Sequence, residues 1–133
     1  MALVLSFLLT ASLSVRDCGS GNALFGVDNL SISPLNPNPG DPITLHMQYT
    51  VPYGSVITDG IAKYDVNYNF LPLQPVLEPL CENVPCPLGP GVYTNDTITT
   101  WPTDVSGTLN TKMSWLDANN TLLLCVLISG KTR

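Results

Sequence analysis

The stretch ITLHMQYTV, Ile43 to Val51, decides the fold class of this 133-residue chain. Apolar side chains occupy every second position, whereas threonine, histidine and glutamine fill the positions between them. Because successive side chains of a β-strand point to opposite faces of a sheet, this alternation is typical of a strand with one buried face. The stretch therefore predicts a long, half-buried strand, with His46 on its outward face.

Two further segments show the same alternation, one within GIAKYDVNYNFLP at residues 62–70 and one within TLNTKMSWLD at residues 109–115. The continuous apolar run TLLLCVLIS follows the turn-forming letters DANN, so a hairpin is predicted there. Weaker strands are predicted at residues 25–33 and 92–101. Prolines and glycines interrupt the rest, and no segment carries a helical apolar stripe of useful length. About seven short strands joined by turns predict an all-β fold, a two-sheet antiparallel sandwich.

The composition limits the kinds of partner. Charged residues make up 11% of the chain, against roughly 25% in an average globular protein, whereas 44% of the chain is hydrophobic. The net charge is −5, and the five basic residues form no cluster. Because nucleic-acid binding requires a basic patch or stripe, we expect no nucleic-acid partner. The length allows a single domain with one core.

The N-terminal segment, MALVLSFLLTASLSV, has the features of a secretory leader. An apolar run over residues 2–9 is followed by small residues, with Ser12 and Ser14 placed for cleavage after Ser14. We predict a signal peptide over residues 1–14 and a mature domain over residues 15–133. The alternative is a buried N-terminal strand. A membrane-spanning helix is disfavoured because the run is shorter than the ~20 residues that cross a bilayer.

Three N-glycosylation sequons fit an exported protein; they begin at Asn29, Asn95 and Asn119. The even number of cysteines fits an oxidising compartment as well. We therefore expect a glycoprotein that is secreted or that resides in the endolysosomal or vacuolar lumen.

Four cysteines allow three disulfide pairings. Cys81 and Cys86 lie five positions apart in LCENVPCP, a segment in which proline prevents regular helix. A tight loop there brings the two Cα atoms to the ~5.5 Å that a disulfide requires. This leaves Cys18 to pair with Cys125, which would join the N-terminal region to the last strand.

Catalytic and metal-binding chemistry finds little support in the sequence. His46 is the single histidine, the acidic residues are scattered, and no nucleophile has a base nearby in a recognisable motif. Zinc sites normally show paired cysteines or neighbouring histidines, which the isolated Cys18 and Cys125 do not provide. We expect no enzyme activity, no metal and no cofactor.

Five motifs together carry a resemblance to a known family: DCGS, NPGDPITL, ITDGIAKYDVNYNF, LCENVPCPLGPG and KMSWLDANNTLLLCVLI. In this order they resemble the ML lipid-recognition domain, the family of the Niemann-Pick type C sterol carriers. The disulfide-loop motif is most similar to the branch of phosphatidylglycerol and phosphatidylinositol transfer proteins. The resemblance covers the chain from Asp17 onward and implies the same disulfide pairing that the spacing of the cysteines favours.

The resemblance implies an immunoglobulin-like sandwich whose sheets enclose a hydrophobic cavity for a phospholipid, sterol or glycolipid tail. It implies an ML-type lipid-binding domain over residues 15–133 and a non-catalytic lipid-transport role. We also expect the protein to be a monomer. The residues expected to line the cavity are Leu45, Met47, Tyr49, Val66, Tyr68, Phe70, Leu73, Leu109, Met113 and Trp115. Their ordinary alternative is a filled core, in which case the domain would be an immunoglobulin-like adhesion or structural module.

The apolar segment NFLPLQPVLEPL, residues 69–80, is unusual for a loop because loops are normally polar. We expect it to form the lip through which a lipid enters or an edge that touches membranes transiently. The alternative is a loop that packs flat on the core.

Overall fold

The computed structural model describes residues 11–103 and 106–132 of the chain. Over these residues the backbone forms nine strands and a short 3-10 helix, Leu80–Glu82. None of the described helical residues makes a helix long and apolar enough to cross a bilayer. The strands are β1 Ala11–Asp17, β2 Gly26–Ser33, β3 Pro42–Val51, β4 Gly60–Tyr68, β5 Leu71–Pro72, β6 Val76–Pro79, β7 Gly91–Thr100, β8 Thr108–Asp117 and β9 Leu122–Thr132.

The strands form two antiparallel sheets. The six-stranded sheet has the order β1-β9-β8-β4-β5, with β6 also pairing with β4, and the three-stranded sheet has the order β2-β3-β7. This arrangement confirms the predicted all-β sandwich of two antiparallel sheets.

β3 forms the middle of the three-stranded sheet, and its burial follows the predicted alternation. Ile43, Leu45, Met47, Tyr49 and Val51 are all buried, and the residues between them are partly exposed. On the outward face, Nδ1 of His46 lies 2.5 Å from Oδ1 of Asp96 across the β3–β7 pair. Because β3 is flanked on both sides, its apolar face fixes the register of the whole sheet.

The predicted hairpin near the C-terminus joins β8 and β9. Its turn is held by the carboxylate of Asp117, whose Oδ1 accepts the backbone N–H groups of Asn119 and Thr121 at 2.8 and 2.9 Å. Asn120 takes a positive φ of 63°, a conformation that asparagine tolerates better than most residues. The letters DANN therefore form the turn that they predict.

One end of the sandwich is filled by aromatic rings. Tyr49 stacks on Phe25 and on Tyr93 with centroid separations of 5.7 and 5.6 Å, and it meets Trp115 edge to face at 5.2 Å. Buried leucines from the 3-10 helix and from β9 complete this cluster. Desolvation by burial, with a smaller effect of Tyr93, raises the pKa of Tyr49 to about 12. We call this region the filled end.

Two disulfides lie beside the filled end. Cys18 is bonded to Cys125, with the Cα atoms 5.0 Å apart, and Cys81 is bonded to Cys86, with the Cα atoms 5.5 Å apart. The segment between Cys81 and Cys86 carries the buried Val84 into the core. The short disulfide loop is therefore a plug for this end of the sandwich as well as a covalent link.

The N-terminal region contains the strand β1, which pairs with β9 from Ala11 to Asp17. Leu13 is buried against the core of the sandwich. Most of the predicted leader, residues 1–10, lies outside the described residues, and its last four residues belong to β1. The boundary after Ser14 stays a prediction.

Candidate functional site

The other end of the sandwich encloses a cavity of about 600 Å³. This volume lies within the range of about 300–1,000 Å³ that is usual for small-molecule sites. Both sheets contribute apolar side chains to its wall: Ile32, Ile43, Leu45, Tyr64, Val66, Val76, Leu109, Met113 and Ile128.

The cavity exists because the side chains on the inward face of β7 become smaller along the strand. Tyr93 pairs with Tyr49 and fills the interior, whereas Thr97 and Thr99 pair with Leu45 and Ile43. Directly paired residues of an antiparallel sheet share one face, so these threonines face inward, and they line the cavity. Their short side chains leave open the volume that a tyrosine occupies nearer the start of the strand.

A side mouth opens the cavity between the edges of the two sheets. One lip is β6, where Val76 and Glu78 pair with Tyr64 and Ala62 and so face inward. The other lip is the edge strand β7, whose exposed residues 97–100 line the same space. The mouth therefore lies between two strands that do not pair with each other.

Asn83, in the disulfide loop, limits this mouth at the filled end. Its Nδ2 donates to Oε2 of Glu78 at 3.4 Å, and its backbone oxygen accepts from Nδ2 of Asn95 on β7 at 2.9 Å. The loop thus joins the two lips through hydrogen bonds, and the cavity begins beyond them.

Trp101 forms the wall farthest from the filled end. The indole is 3% exposed, and its Nε1 has no hydrogen-bond partner among the described residues. A Cβ on Gly130 would lie 2.6 Å from Cη2 of Trp101 and 2.7 Å from a methyl carbon of Leu13. Gly130 is therefore required for the indole to reach across from one sheet to the other.

Charge is sparse in the cavity. Glu78 is the one charged side chain among the described residues that line it. Burial raises the pKa of Tyr64, and the negative charge of Glu78 raises it further. No group of three metal-ligating side chains occurs within residues 11–103 and 106–132.

The structure divides the ten residues predicted to line the cavity into three groups. Leu45, Val66, Leu109 and Met113 lie in the cavity wall. Met47, Tyr49 and Trp115 lie in the core cluster and outside the described cavity wall. The third group, Tyr68, Phe70 and Leu73, lies at or after the end of β4. Contact with a ligand stays a prediction for all ten.

Sequence reasoning missed several residues of the wall. Ile43 belongs to the same alternating set as Leu45, so its place could have been predicted. Trp101 follows the end of a strand, and Thr97 and Thr99 are polar, so no apolar pattern indicates them. A search for hydrophobic periodicity does not detect the threonines that line the cavity.

The segment after β4 forms an exposed apolar surface. Asn69 and Phe70 make a two-residue turn with φ values of 49° and 68°, and β5 and β6 then pair with β4. The segment does not pack flat on the core, because five of its side chains are 51–84% exposed: Phe70, Leu71, Leu73, Val76 and Leu77. We call these five residues the apolar edge.

Two antiparallel sheets that are filled at one end and enclose an apolar cavity at the other define an immunoglobulin-like sandwich with an interior cavity. The family model for the ML domain matches residues 12–131, and the chain belongs to the ML domain family.

Two solved structures show the same fold. A Niemann-Pick type C2 protein from Japanese carpenter ant superposes with a TM-score of 0.64 at 16% identity, covering 87% of this chain and 96% of that chain. Chicken MD-1, solved in complex with lipid IVa, gives a TM-score of 0.57 at 12% identity and covers 92% and 90% of the two chains. No curated protein matches the sequence.

Proposed function

We propose that this protein is a non-catalytic lipid carrier that holds the hydrocarbon part of one lipid between its two sheets. The observation that carries this proposal is the cavity of about 600 Å³ with its largely aliphatic and aromatic wall. Membership of the ML domain family, and a fold relative that was solved with a bound lipid, support it.

The volume limits the size of the buried part. A methylene group is about as large as a water molecule, whose share of liquid volume is about 30 Å³, so the cavity holds about 20 methylene groups. Each buried methylene contributes ~0.8 kcal/mol. A single long acyl chain thus gains roughly 10 kcal/mol, enough to offset much of an association cost of ~4–15 kcal/mol. We therefore propose one chain, or a ring system of similar size, as the buried part of the lipid.

We further propose that the apolar edge contacts a membrane while the lipid is transferred. Val76 belongs both to the apolar edge and to one lip of the side mouth. Phe70 stands at the tip of a hairpin turn and is 84% exposed. A lipid leaving a bilayer at this edge would enter the cavity without crossing water, which is the step that opposes transfer.

The proposed location is outside the cell or in the endolysosomal or vacuolar lumen. Two disulfides support an oxidising compartment, because such bonds are rare in the cytosol.

Glycosylation should be restricted to two of the three sequons. Asn29 and Asn119 are exposed, whereas Nδ2 of Asn95, the atom that would carry a glycan, donates to the backbone oxygen of Asn83. Intact-mass analysis of the protein from a eukaryotic secretion host, before and after glycosidase treatment, should show glycan on Asn29 or Asn119. Glycan on Asn95 in folded protein would contradict this arrangement.

The carrier function is tested by extracting the purified protein and by native mass spectrometry. Near-stoichiometric lipid, or uptake of an uncharged fluorescent acyl probe, is expected. Repeated absence of both would leave a surface-acting immunoglobulin-like module as the better description.

Single substitutions test whether the ligand binds in the cavity. Val66 lines the cavity, so Val66→Asp should abolish probe uptake because a carboxylate in the wall opposes burial of a hydrocarbon. Asn67→Asp adds the same group to the next, exposed position and should leave uptake unchanged, as should Lys63→Ala. Equal effects of Val66→Asp and Asn67→Asp would show that the ligand lies elsewhere. Circular dichroism of each variant separates lost binding from lost folding.

A further inference from the structure

The distribution of charge indicates which head group the cavity accepts, an inference that rests on the proposed lipid-carrier function. A lipid tail in the cavity places its head group at the side mouth, between β6 and β7. Glu78 is the one charged side chain among the described residues of the wall and the mouth. A head group that passes or rests there meets a negative charge and no positive one.

The cations of the described chain lie on the opposite surface. Arg16, Lys63, Lys112 and Lys131 belong to β1, β4, β8 and β9 of the six-stranded sheet. Each follows or precedes a residue that faces the interior along the same strand: Val15, Ala62, Thr111 and Gly130. Since successive side chains of a strand alternate, all four cations point away from the cavity. None is placed to neutralise an anionic head group at the mouth.

Two residues of the mouth, Glu78 and Thr97, offer hydrogen-bond acceptors. Among the described residues, the carboxylate of Glu78 accepts one long bond, from Nδ2 of Asn83 to Oε2, so it retains acceptor capacity. The hydroxyl of Thr97 donates to Oδ1 of Asn95 at 3.2 Å, which leaves its oxygen free to accept. Asn83 uses its amide nitrogen on Glu78 and its backbone oxygen on Asn95. A head group that brings donors can therefore bond to both Glu78 and Thr97.

The negative charge of Glu78 also affects the groups of the cavity wall. Its side chain is only partly exposed, and its β6 position pairs with Ala62, which is completely buried. The upward shift of the pKa of Tyr64 has the Glu78 charge as its second cause, after burial. A negative charge that disfavours a phenolate on the cavity wall also disfavours a phosphate or carboxylate beside it.

We infer that the cavity selects lipids whose head group carries no net negative charge and presents hydroxyl or ammonium donors, and that Glu78 is the residue that determines this selection. This head-group preference differs from the one that the disulfide-loop motif suggests, because the motif resembles the branch that transfers phosphatidylglycerol and phosphatidylinositol. That loop contributes Asn83 to the described mouth, a neutral residue whose side-chain nitrogen bonds to Glu78 and whose backbone oxygen bonds to Asn95.

The experiment is a competition between two single-chain lipids that share one oleoyl chain. The full chain is incubated at low ionic strength with equimolar monooleoylglycerol, which is uncharged, and oleoyl-lysophosphatidylglycerol, which is anionic, both below their micelle concentrations. Native mass spectrometry then counts the two complexes. We expect about a ten-fold excess of the uncharged lipid, and added salt should reduce the excess because exposed charges are screened.

Charge variants complete the design. Glu78→Lys should bring the ratio to parity or reverse it, and the milder Glu78→Gln should lower it. Glu82→Lys makes the same change in net charge as Glu78→Lys at a position outside the cavity wall, and it should keep the wild-type ratio.

The outcomes separate the two proposals. Wild-type protein that takes both lipids equally, or prefers the anionic one, overturns the selection and leaves the carrier function standing. The selection is overturned in the same way if Glu82→Lys shifts the ratio as far as Glu78→Lys. Wild-type protein that takes neither lipid, nor the uncharged acyl probe, overturns the carrier function itself.

Discussion

The two ends of this sandwich are built from the same strands yet have different interiors. β3 contributes Tyr49 to the filled end, where three aromatic rings surround it, and Leu45 to the cavity end, where it faces open space. The partner strand β7 offers Tyr93 at the first end and Thr97 at the second. The disulfide loop adds to the contrast, because it packs into the filled end and no similar plug occurs in the described wall of the cavity.

The difference shows that the pattern of apolar residues in one strand does not determine where a cavity forms. Both ends of β3 have the same alternation and nearly the same burial. What differs is whether large side chains and a loop from elsewhere meet the strand. Packed interiors leave few voids larger than a water molecule, so an apolar space of this size needs a cause, and here the cause lies in β7 and in the placement of the loop.

The largest effect should come from the disulfide that links the chain ends beside the filled end. Replacing Cys18 and Cys125 together by alanine should lower the free energy of unfolding by about 5 kcal/mol, because this link spans 107 residues and constrains the unfolded chain strongly. Replacing Cys81 and Cys86 should cost about 2 kcal/mol, since that loop spans five. Urea unfolding of the two double variants measures both losses of free energy. A larger loss for the Cys81 and Cys86 variant than for the Cys18 and Cys125 variant would contradict this prediction.

A matched pair of leucines compares the two interiors directly. Leu124 is completely buried in the filled end, so Leu124→Ala should cost about 2–5 kcal/mol through lost burial and a new cavity. Leu109 already borders open space, so Leu109→Ala should cost less than about 1 kcal/mol. Equal losses in urea unfolding of ligand-free protein would show that the cavity end is packed as tightly as the other.

The smallest effect concerns pH. Tyr49 has a pKa of about 12 in the fold, chiefly from burial, against 10 for an ordinary tyrosine, so folding favours its neutral form. Its contribution to stability is fully present below pH 10 and is lost as the pH rises from 10 through about 12. The free energy of unfolding, measured at several alkaline pH values, should decline less steeply for Tyr49→Phe than for the wild type.

Tyr53→Phe is the control for that series, because the ring of Tyr53 is 96% exposed. Its stability should follow the wild-type curve. A decline as shallow as that of Tyr49→Phe would assign the alkaline effect to tyrosines in general and would remove the filled end as its cause.

Much of the fold follows from short-range patterns in the sequence. The alternation at Ile43 to Val51 predicts β3 and its buried face, and DANN predicts the last turn, because both depend on neighbouring residues alone. The sequence instead predicts a loop at β6, because Pro72, Pro75 and Pro79 surround it. β6 pairs as a short edge strand, a place where proline is tolerated because one side of the strand needs no donors.

The candidate site follows from the sequence only in part. Leu45, Val66 and Met113 belong to the predicted set and line the cavity. The same periodicity selects Tyr49 equally, since a strand pattern gives the face of a residue and not its distance from the opposite sheet. Glu78 has no periodic signal at all, and its place at the mouth depends on the pairing of β6 with β4.

Gly130 makes the width of the cavity end depend on one residue. At this position the rim of the Trp101 indole lies against the backbone of β9, and an added Cβ would meet Cη2 at 2.6 Å. Ile128 of the same strand packs against the cluster that contains Trp101. Any residue larger than glycine at position 130 would therefore require the indole or the strand to move, so the separation of the layers beside Trp101 is set by the absence of one side chain.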